Sequence, residues 1–385
     1  MDIFTLRYPA RKQVLHRAHV GVVGSGDLEI LLEPAPGHKA IVNIRTSVDG
    51  HQPTWRAVLD RFFLRYQGAA KIDINDFGAT PGVVAFRLQQ AVETLEDFEV
   101  DSLSQYTNCR VLNSFIELNA RQRARALLDD GTFRELLNPF DRVQSPWLVQ
   151  QDIVPQFDDG VIVARGQIDS QPAVVISIEG GFQGGSIGEV SGSKIACALD
   201  LACTDNERGI PTRAVLVMES GGVRLQEANI GLEVISEIHS SIVSLRQYAP
   251  VVGVIAGMVG CFGGMALSAA LCSSLIMTRQ ARLGMNGPEV IEQEAGIDEC
   301  DSSDRSLIWE VYGGVQRYET GLADALVEDD TAIISKTVQH FCGRDRPSEN
   351  RLTEADRYLK MLSTIHPSNS LDVLAMRRLL GRRRD

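Results

Sequence analysis

The chain is short of positive charge, of paired cysteines and of long apolar runs, and each shortage excludes something. Its 38 Lys and Arg stand against 50 Asp and Glu, a formal net charge of -12. Nucleic-acid binding needs a dense field of Lys and Arg that this balance does not supply. Seven cysteines, an odd number with no C-x-x-C spacing, fit reduced thiols better than a disulfide framework or a zinc site. The amino terminus, MDIFTLRYPARKQ, has no apolar run of signal-peptide length. The most apolar stretch, residues 251–277, is broken by Gly253, Gly257, Gly260, Gly263 and Gly264, which suits a buried core better than a membrane span. A cytoplasmic setting without metal, nucleic acid or membrane span is expected. What is present is ordinary: 385 residues, 44% hydrophobic and 23% charged, enough for two or three globular domains.

Residues 18–98 read as one small α+β unit. AHVGVV and LEILLEP are β-prone runs joined by GSGD, a hairpin pattern, and KAIVNIRTSV is a third strand with Ile41, Ile44 and Val48 among its apolar positions. PTWRAVLDRFFLRY sets Trp55, Val58, Leu59, Phe62 and Phe63 at helical spacing, AKIDINDFG alternates as a strand, and VVAFRLQQAVETLEDF is a second helix. The order suggests a sandwich and not a parallel βαβ array. Residues 99–113 hold neither period and read as a linker. Beyond it, SFIELNARQRARALLDDGTFREL is expected to be a helical pair capped by Ser114, with Glu117 three residues later. From about residue 158, strands alternate with helices and end in glycine pairs, which predicts an α/β fold of stacked ββα units.

Three glycine clusters carry the candidate chemistry: GGFQGGSIG after VVISIE, SGGVRLQE after AVLVME, and GCFGGMA after VVGVIAG. Each puts side-chain-free backbone where a strand gives way to a helix whose first N–H groups lack partners. An acyl oxygen can approach such donors closely. Residues Gly184 to Gly188 also satisfy G-x-S-x-G, the nucleophile-elbow pattern, so a serine hydrolase using Ser186 with His239, His340 or His366 stays open. Nucleotide loops fail: GVVGSGDLE lacks a third glycine, and GEVSGSK places Lys194 one position too far for a P-loop. Ser25, alone between Gly24 and Gly26, reads as a turn residue with no aligned histidine, His16 and His19 preceding it. The tail residues Arg377, Arg378, Arg382, Arg383 and Arg384 suit either solvent or an acidic or phosphate-bearing partner.

Together GGFQGGSIGEVSGSKI, SGGVRLQEANIGLEVISEIH, GCFGGMALSAALCS and GMNGPEVIEQEAGI resemble the β subunit of malonate decarboxylase, in the carboxyltransferase branch of the crotonase superfamily, over about residues 114–326. GVVGSGDLEILLEP and DINDFGATPGVV resemble the δ subunit, the acyl carrier protein of that enzyme, over about residues 3–98. In the family these are separate subunits, whereas here they share a chain.

The resemblance implies a carrier domain at 1–98, a linker at 99–113 and a crotonase-like domain at 114–385. It implies that Ser25 carries a covalent 2'-(5''-phosphoribosyl)-3'-dephospho-coenzyme A, and that malonyl thioester loses carbon dioxide to leave an enolate. Oxyanion donors then fall at Gly221, Gly222, Val223, Gly263 and Gly264. Gly184, Gly185, Ser186, Gly188, Gln226 and Glu227 fall around the acyl pocket, with Glu227 read as organising its loop. Glu227, Gln226, Ser186 and His239 are the candidate proton sources. The implied partners are a homologous γ subunit sharing the active site and an α subunit acting as acyl-carrier transferase. A related activity, carboxyl transfer to biotin, is the alternative the same loops could support.

Overall fold

The computed structural model describes residues 1–96, 113–257, 259–344, 355–366 and 372–381. The expected linker lies outside these residues apart from Asn113, as do Arg382, Arg383 and Arg384. In chain order the elements are β1 (Asp2–Pro9), β2 (Lys12–Gln13), β3 (Ala18–Val20), β4 (Leu28–Pro34), β5 (Lys39–Thr46), α1 (Gln52–Phe63), β6 (Gly68–Asp76) and α2 (Pro81–Glu96). Then come α3 (Ala120–Leu127), β7 (Arg134–Leu136), α4 (Pro146–Gln150), β8 (Val161–Ile168), β9 (Gln171–Ile178), α5 (Glu189–Glu207), β10 (Arg213–Val217), α6 (Asn229–Leu245), β11 (Val251–Ile255), α7 (Gly264–Leu271) and β12 (Ser274–Thr278). The remainder is α8 (Pro288–Ala295), α9 (Arg305–Tyr312), α10 (Gly314–Glu319), β13 (Ala325–Val327), α11 (Thr331–Cys342), α12 (Ala355–Leu362) and α13 (Val373–Leu380). Two compact units result: Met1–Leu112 with Leu137–Asp159 and Gly181–Gln183, and Asn113–Leu136 with Gly160–Gly180 and Gly184–Asp385. The first unit thus takes in two pieces of chain from beyond the expected linker.

The first unit is built on a sheet of order β1-β5-β6-β4-β3, with β2 pairing β6. Alternation explains its two faces. Ala40, Val42, Ile44, Ile72 and Ile74 point toward α1 and α2 and form a core with Trp55, Leu59, Val84 and Leu88. On β5 the inward set is Ala40, Val42 and Ile44, so Ile41 is half-buried on the opposite face and Val48 lies past the strand end. One βαβ crossover, β5–α1–β6, sits in this mixed sheet: β5 and β6 run parallel, as do β2 and β6, while the pairings β1–β5, β4–β6 and β3–β4 are antiparallel. Strand β1, with Phe4, Leu6 and Tyr8 turned to the core, adds an edge that the reading from residue 18 omits.

The opposite face of that sheet is polar: Glu29, Asn43, Asp73 and Asn75. It is covered within the same unit by the segment Leu137–Asp159. Phe157 N–H donates to Glu29 (3.0 Å), and Arg142 donates to Asp73 (2.7 Å) and to Glu33. Glu29 is fully buried and also meets His19 (2.9 Å) and Asn75 (3.1 Å), so its carboxyl oxygens are hydrogen-bonded where they could not be left without partners.

The second unit holds a seven-stranded sheet, β13-β12-β11-β10-β9-β8-β7, parallel from β9 to β13. The central strands β10, β11 and β12 are almost wholly buried because helices cover both faces. One face packs Ile195 and Leu199 of α5, Ile238 of α6 and Met265 of α7, and the other packs Ala120 and Ala124 of α3 with Ile334 and Val338 of α11. The expected helical pair after residue 114 is corrected. Ser114 does not cap a helix: its hydroxyl donates to Asp329 (2.5 Å), and helix α3 begins after Asn119, whose side chain forms a capping box with Gln122. TFREL, read there as helix, supplies strand β7, which pairs with β8.

Candidate active site

In the first unit Ser25 is exposed at a corner of the turn Gly24–Asp27, closed by Asp27 N–H to Gly24 O (3.0 Å). Gly26 follows it with φ +76°, the left-handed value that a type II turn needs at its third residue. Two backbone bonds tie the turn to Phe77, from Gly26 N–H and back to Asp27 O. Arg87 grips the Asp27 carboxylate with two donors, at 2.9 and 2.5 Å. A rigid turn therefore holds an open hydroxyl: a Cβ on Gly26 would meet nothing within 4 Å.

In the second unit, the loops after β9, β10, β11 and β12 continue side by side past the sheet. Isolated bridges join Ile187 to Val223, Ser220 to Cys261 and Cys261 to Leu283. Glycine is required where the loops touch. A Cβ on Gly185 would stand 1.9 Å from Glu219 O, and one on Gly188 would stand 2.5 Å from the Glu227 carboxylate. Gly222 (φ +108°) and Gly263 (φ +58°) face each other backbone to backbone.

The N–H groups of the five residues expected to act as donors divide into two sets. Gly221 N–H donates to Gly184 O (2.9 Å), Gly222 N–H to Ser220 Oγ (3.1 Å) and Gly263 N–H to Met285 O (2.8 Å). Those three are occupied in holding the loops together. Among the described residues, Val223 N–H and Gly264 N–H have no acceptor, the latter because it opens helix α7. The pair left over follows the two positive-φ glycines directly.

Beneath the loops lie two buried ion pairs. Arg224 and Glu227, both with fully buried side chains, pair at 2.9 Å, and Glu227 also accepts Glu189 N–H (2.6 Å) at the start of α5. Arg224 further donates to Ser186 O (3.1 Å) and toward Ser186 Oγ (3.4 Å). Glu219, after β10, pairs with buried Arg123 and accepts Val259 N–H (3.2 Å). Gly180 and Gly257 leave room for its carboxylate. Past the third loop, Arg282 lies over the rings of Phe262 and Trp309, at 5.7 and 5.0 Å, and burial lowers its guanidinium pKa. Burial pushes the Cys261 thiol far up, which leaves it a packing residue.

Ser186 and His239 are not joined. Ser186 is engaged by Arg224, while His239 Nε2 lies 3.0 Å from Gly264 O, so a Ser186–His239 pair is not assembled in this geometry. Gln226 is exposed beside Leu225 at the rim of the second loop. Arg377, from the basic tail, donates to Gln316 (2.6 Å). The residues that sequence reading passes over are Ser220, Arg224, Glu219, Arg123 and Met285. Only Arg224, charged and three residues before Glu227, left a signal.

Residues 15–95 match the family model of the malonate decarboxylase delta subunit (MdcD), and residues 117–385 match that of the carboxyl transferase domain. The malonyl-S-ACP:biotin-protein carboxyltransferase MADC of Malonomonas rubra is 38% identical over 281 residues, covering 68% of this chain and 88% of that protein. The malonate decarboxylase acyl carrier protein of Azotobacter vinelandii (strain DJ / ATCC BAA-1303) is 45% identical over 98 residues, 25% of this chain and 99% of that protein. Among solved structures, a chain of a Pseudomonas malonate decarboxylase hetero-tetramer in complex with malonate aligns with TM-score 0.68 at 59% identity. The alignment covers 69% of this chain and 96% of that one. The Pseudomonas MdcD-MdcE hetero-dimer gives TM-score 0.57 at 53% identity over 66% of this chain and 100% of that one. Among the described residues, no helix is long and apolar enough to cross a membrane.

Proposed function

Since the chain belongs to the carboxyl transferase family and carries the acyl carrier domain of malonate decarboxylase on the same polypeptide, we propose that it both holds malonyl at Ser25 and removes its carboxyl group. That it is a malonate decarboxylase component with carrier and carboxyltransferase parts follows from the family. The decarboxylation chemistry, the identity of the arm and the partner subunits are our reading.

The observation that carries the chemistry is the pair of uncommitted donors, Val223 N–H and Gly264 N–H. As carbon dioxide departs from a malonyl thioester, negative charge builds on the thioester oxygen. Backbone N–H groups fixed in advance stabilise that charge without reorganising, and each such donor is worth on the order of 100-fold to 1000-fold in turnover. Gly222 and Gly263, lacking side chains, let the oxygen come within reach. Gly221, Gly222 and Gly263 act as framework, since their own N–H groups are spent. Glu227 likewise serves the loop, and the Ser186 backbone completes the wall at Gly184 to Gly188. Proton delivery falls to a group outside this buried network.

Ser25 fits covalent attachment of a 2'-(5''-phosphoribosyl)-3'-dephospho-coenzyme A arm. Its hydroxyl is exposed, its turn is fixed by Phe77 and Arg87, and open space surrounds Gly26. Such an arm supplies the terminal thiol on which malonyl rides. A homologous γ subunit and an acyl-carrier transferase α subunit are the proposed partners, in keeping with the hetero-oligomeric Pseudomonas enzymes.

The deciding experiment is intact mass after co-expression with the family's prosthetic-group transferase, followed by carbon dioxide release from the malonylated chain. We expect a mass gain that Ser25→Ala abolishes and release that Val223→Pro suppresses. The absence of any gain in a competent host removes the carrier half. The name of the Malonomonas rubra relative favours a second reading, carboxyl transfer to biotin. Release that requires an added biotinyl protein selects it.

A further inference from the structure

We propose that the groove between α1 and α2 of the first unit binds a single-chain amphiphile with an anionic head, a fatty carboxylate or an alkyl phosphate. The proposal is independent of the role of Ser25 and of the glycine loops.

Helical spacing commits one face of each helix to the sheet: Trp55, Val58, Leu59 and Phe63 of α1, and Val84, Leu88 and Ala91 of α2. The flanks that remain between the helices are unequal. Gly82 and Ala85 of α2 are too small to reach across to Phe62, and a groove of about 1120 Å³ is left, walled also by residues 12–16. The α2 residues that line it run from Pro81 to Leu95, a length of roughly 21 Å at about 1.5 Å per residue. Ordinary small-molecule sites hold roughly 300–1,000 Å³, so this space suits an elongated ligand better than a compact one.

The lining has an apolar part and a charged part. Val14, Phe62, Val92 and Leu95 are half-buried, while Leu15 and Leu64 are 79% and 78% exposed. An alkyl chain laid along them removes apolar surface from water on both sides of the contact. Lys12, His16, Arg61 and Arg65 line the same groove, and no Asp or Glu does. In a chain with 50 acidic against 38 basic residues that is a local reversal of sign.

The cations are not spent on the fold. Among the described residues Lys12, Arg61 and Arg65 pair with no carboxylate, and of their side chains only Arg61 bonds within the chain, through Nε to Ala57 O (3.2 Å). The acidic residues next to the groove have other partners: Asp60 accepts from Tyr8 (2.8 Å) and Glu93 from Gln89 (3.0 Å). A guanidinium offers paired donors that match a carboxylate or a phosphate. A neutral chain would leave those donors unused, and a small anion would leave the apolar lining wet. An amphiphilic anion meets both.

The test titrates the full chain with decanoate and with decyl phosphate, below the concentrations at which either forms micelles, by calorimetry and hydrogen exchange. Binding should saturate at one ligand per chain and slow exchange at residues 14–16 and 61–67. Butyrate and decyltrimethylammonium should bind at least tenfold more weakly, and the tighter of the two decyl anions identifies the head group. Arg61→Glu combined with Arg65→Glu should weaken binding at least tenfold. Gln89→Trp, which fills the groove from an exposed position, should do the same through shape alone. Binding that does not saturate, or an affinity unchanged in both variants, overturns the site. Equal affinity for decyltrimethylammonium overturns the anionic head.

Discussion

Gly222 and Gly263 meet backbone to backbone: a Cβ built on either stands 3.4 Å from the Cα of the other. Both have positive φ, +108° and +58°, and each is followed by a residue whose N–H has no acceptor among the described residues. Two loops from neighbouring parallel strands are thereby brought as close as polypeptide allows. A side chain at Gly222 would press on Phe262 O at 3.2 Å in a conformation that L residues rarely adopt. We expect Gly222→Val to lower carbon dioxide release at least 100-fold while the circular dichroism spectrum keeps its native shape. Gly264→Leu, driven into Ile235, should do the same. Near-normal turnover in both variants would remove the loops from the mechanism.

Val223→Pro is the more direct probe because it deletes the donor itself, while also fixing φ there and replacing a side chain packed on the core. Val223 N–H takes part in no internal hydrogen bond among the described residues, and the neighbouring bonds run through Gly222 O and Arg224 N–H. Turnover should fall on the order of 100-fold to 1000-fold, more than the accompanying loss of thermal stability accounts for. A large loss of stability with proportionate loss of activity would mark Val223 as structural.

Breaking the Arg224–Glu227 pair should act on stability first. Arg224→Met strands a buried carboxylate, and such changes cost about 3–5 kcal/mol. The denaturant midpoint should drop accordingly, and Glu227→Gln, which keeps the shape and an acceptor for Glu189 N–H, should cost less. If Glu227→Gln instead abolished turnover at unchanged stability, Glu227 would be the proton source.

The contact between Arg142 and Asp73 should weaken in acid. Burial pushes the Asp73 carboxyl up, but hydrogen bonds from Asn43, Arg142 and Lys71 outweigh it and hold its pKa below the ordinary carboxylate value. A depressed pKa in the folded state means that the stabilisation is complete above the unfolded value of 3.8 and is lost as pH falls through the folded one. Acid unfolding followed at the first unit should therefore shift toward neutral pH in Asp73→Asn, while β10 and β11 of the second unit respond less. An identical acid profile in parent and variant would contradict this.

Much of the fold was legible because its periods are strong. The alternation around Ile72 and Ile74 and the helical spacing of Trp55, Val58, Leu59 and Phe63 state which face is buried, and the structure buries those faces. The misreadings fall where local pattern is overridden. Ser114 and Glu117 imitate a capping box, but Asp329, far away in sequence, takes the Ser114 hydroxyl and the helix waits for Asn119. The stretch TFREL has no strong period, and its strand character comes from pairing with β8. On β5, Ile41 and Ile44 are both apolar but of opposite parity, and only the sheet decides that Ile44 turns inward.

By itself the sequence determined the chemistry on offer: three glycine-rich strand ends, a lone serine between glycines, and no dense basic field or cysteine framework. It could do so because glycine, charge and cysteine spacing act locally. Tertiary structure decided which of the marked groups remain free. Gly221, Gly222 and Gly263 spend their N–H groups on Gly184, Ser220 and Met285, whereas those of Val223 and Gly264 have no acceptor among the described residues. Hydrogen-bond satisfaction is a property of neighbours in space, so no spacing in the chain reveals it. The same holds for the Ser25 turn, whose root is fixed by Phe182 and Gln156, residues more than a hundred positions away.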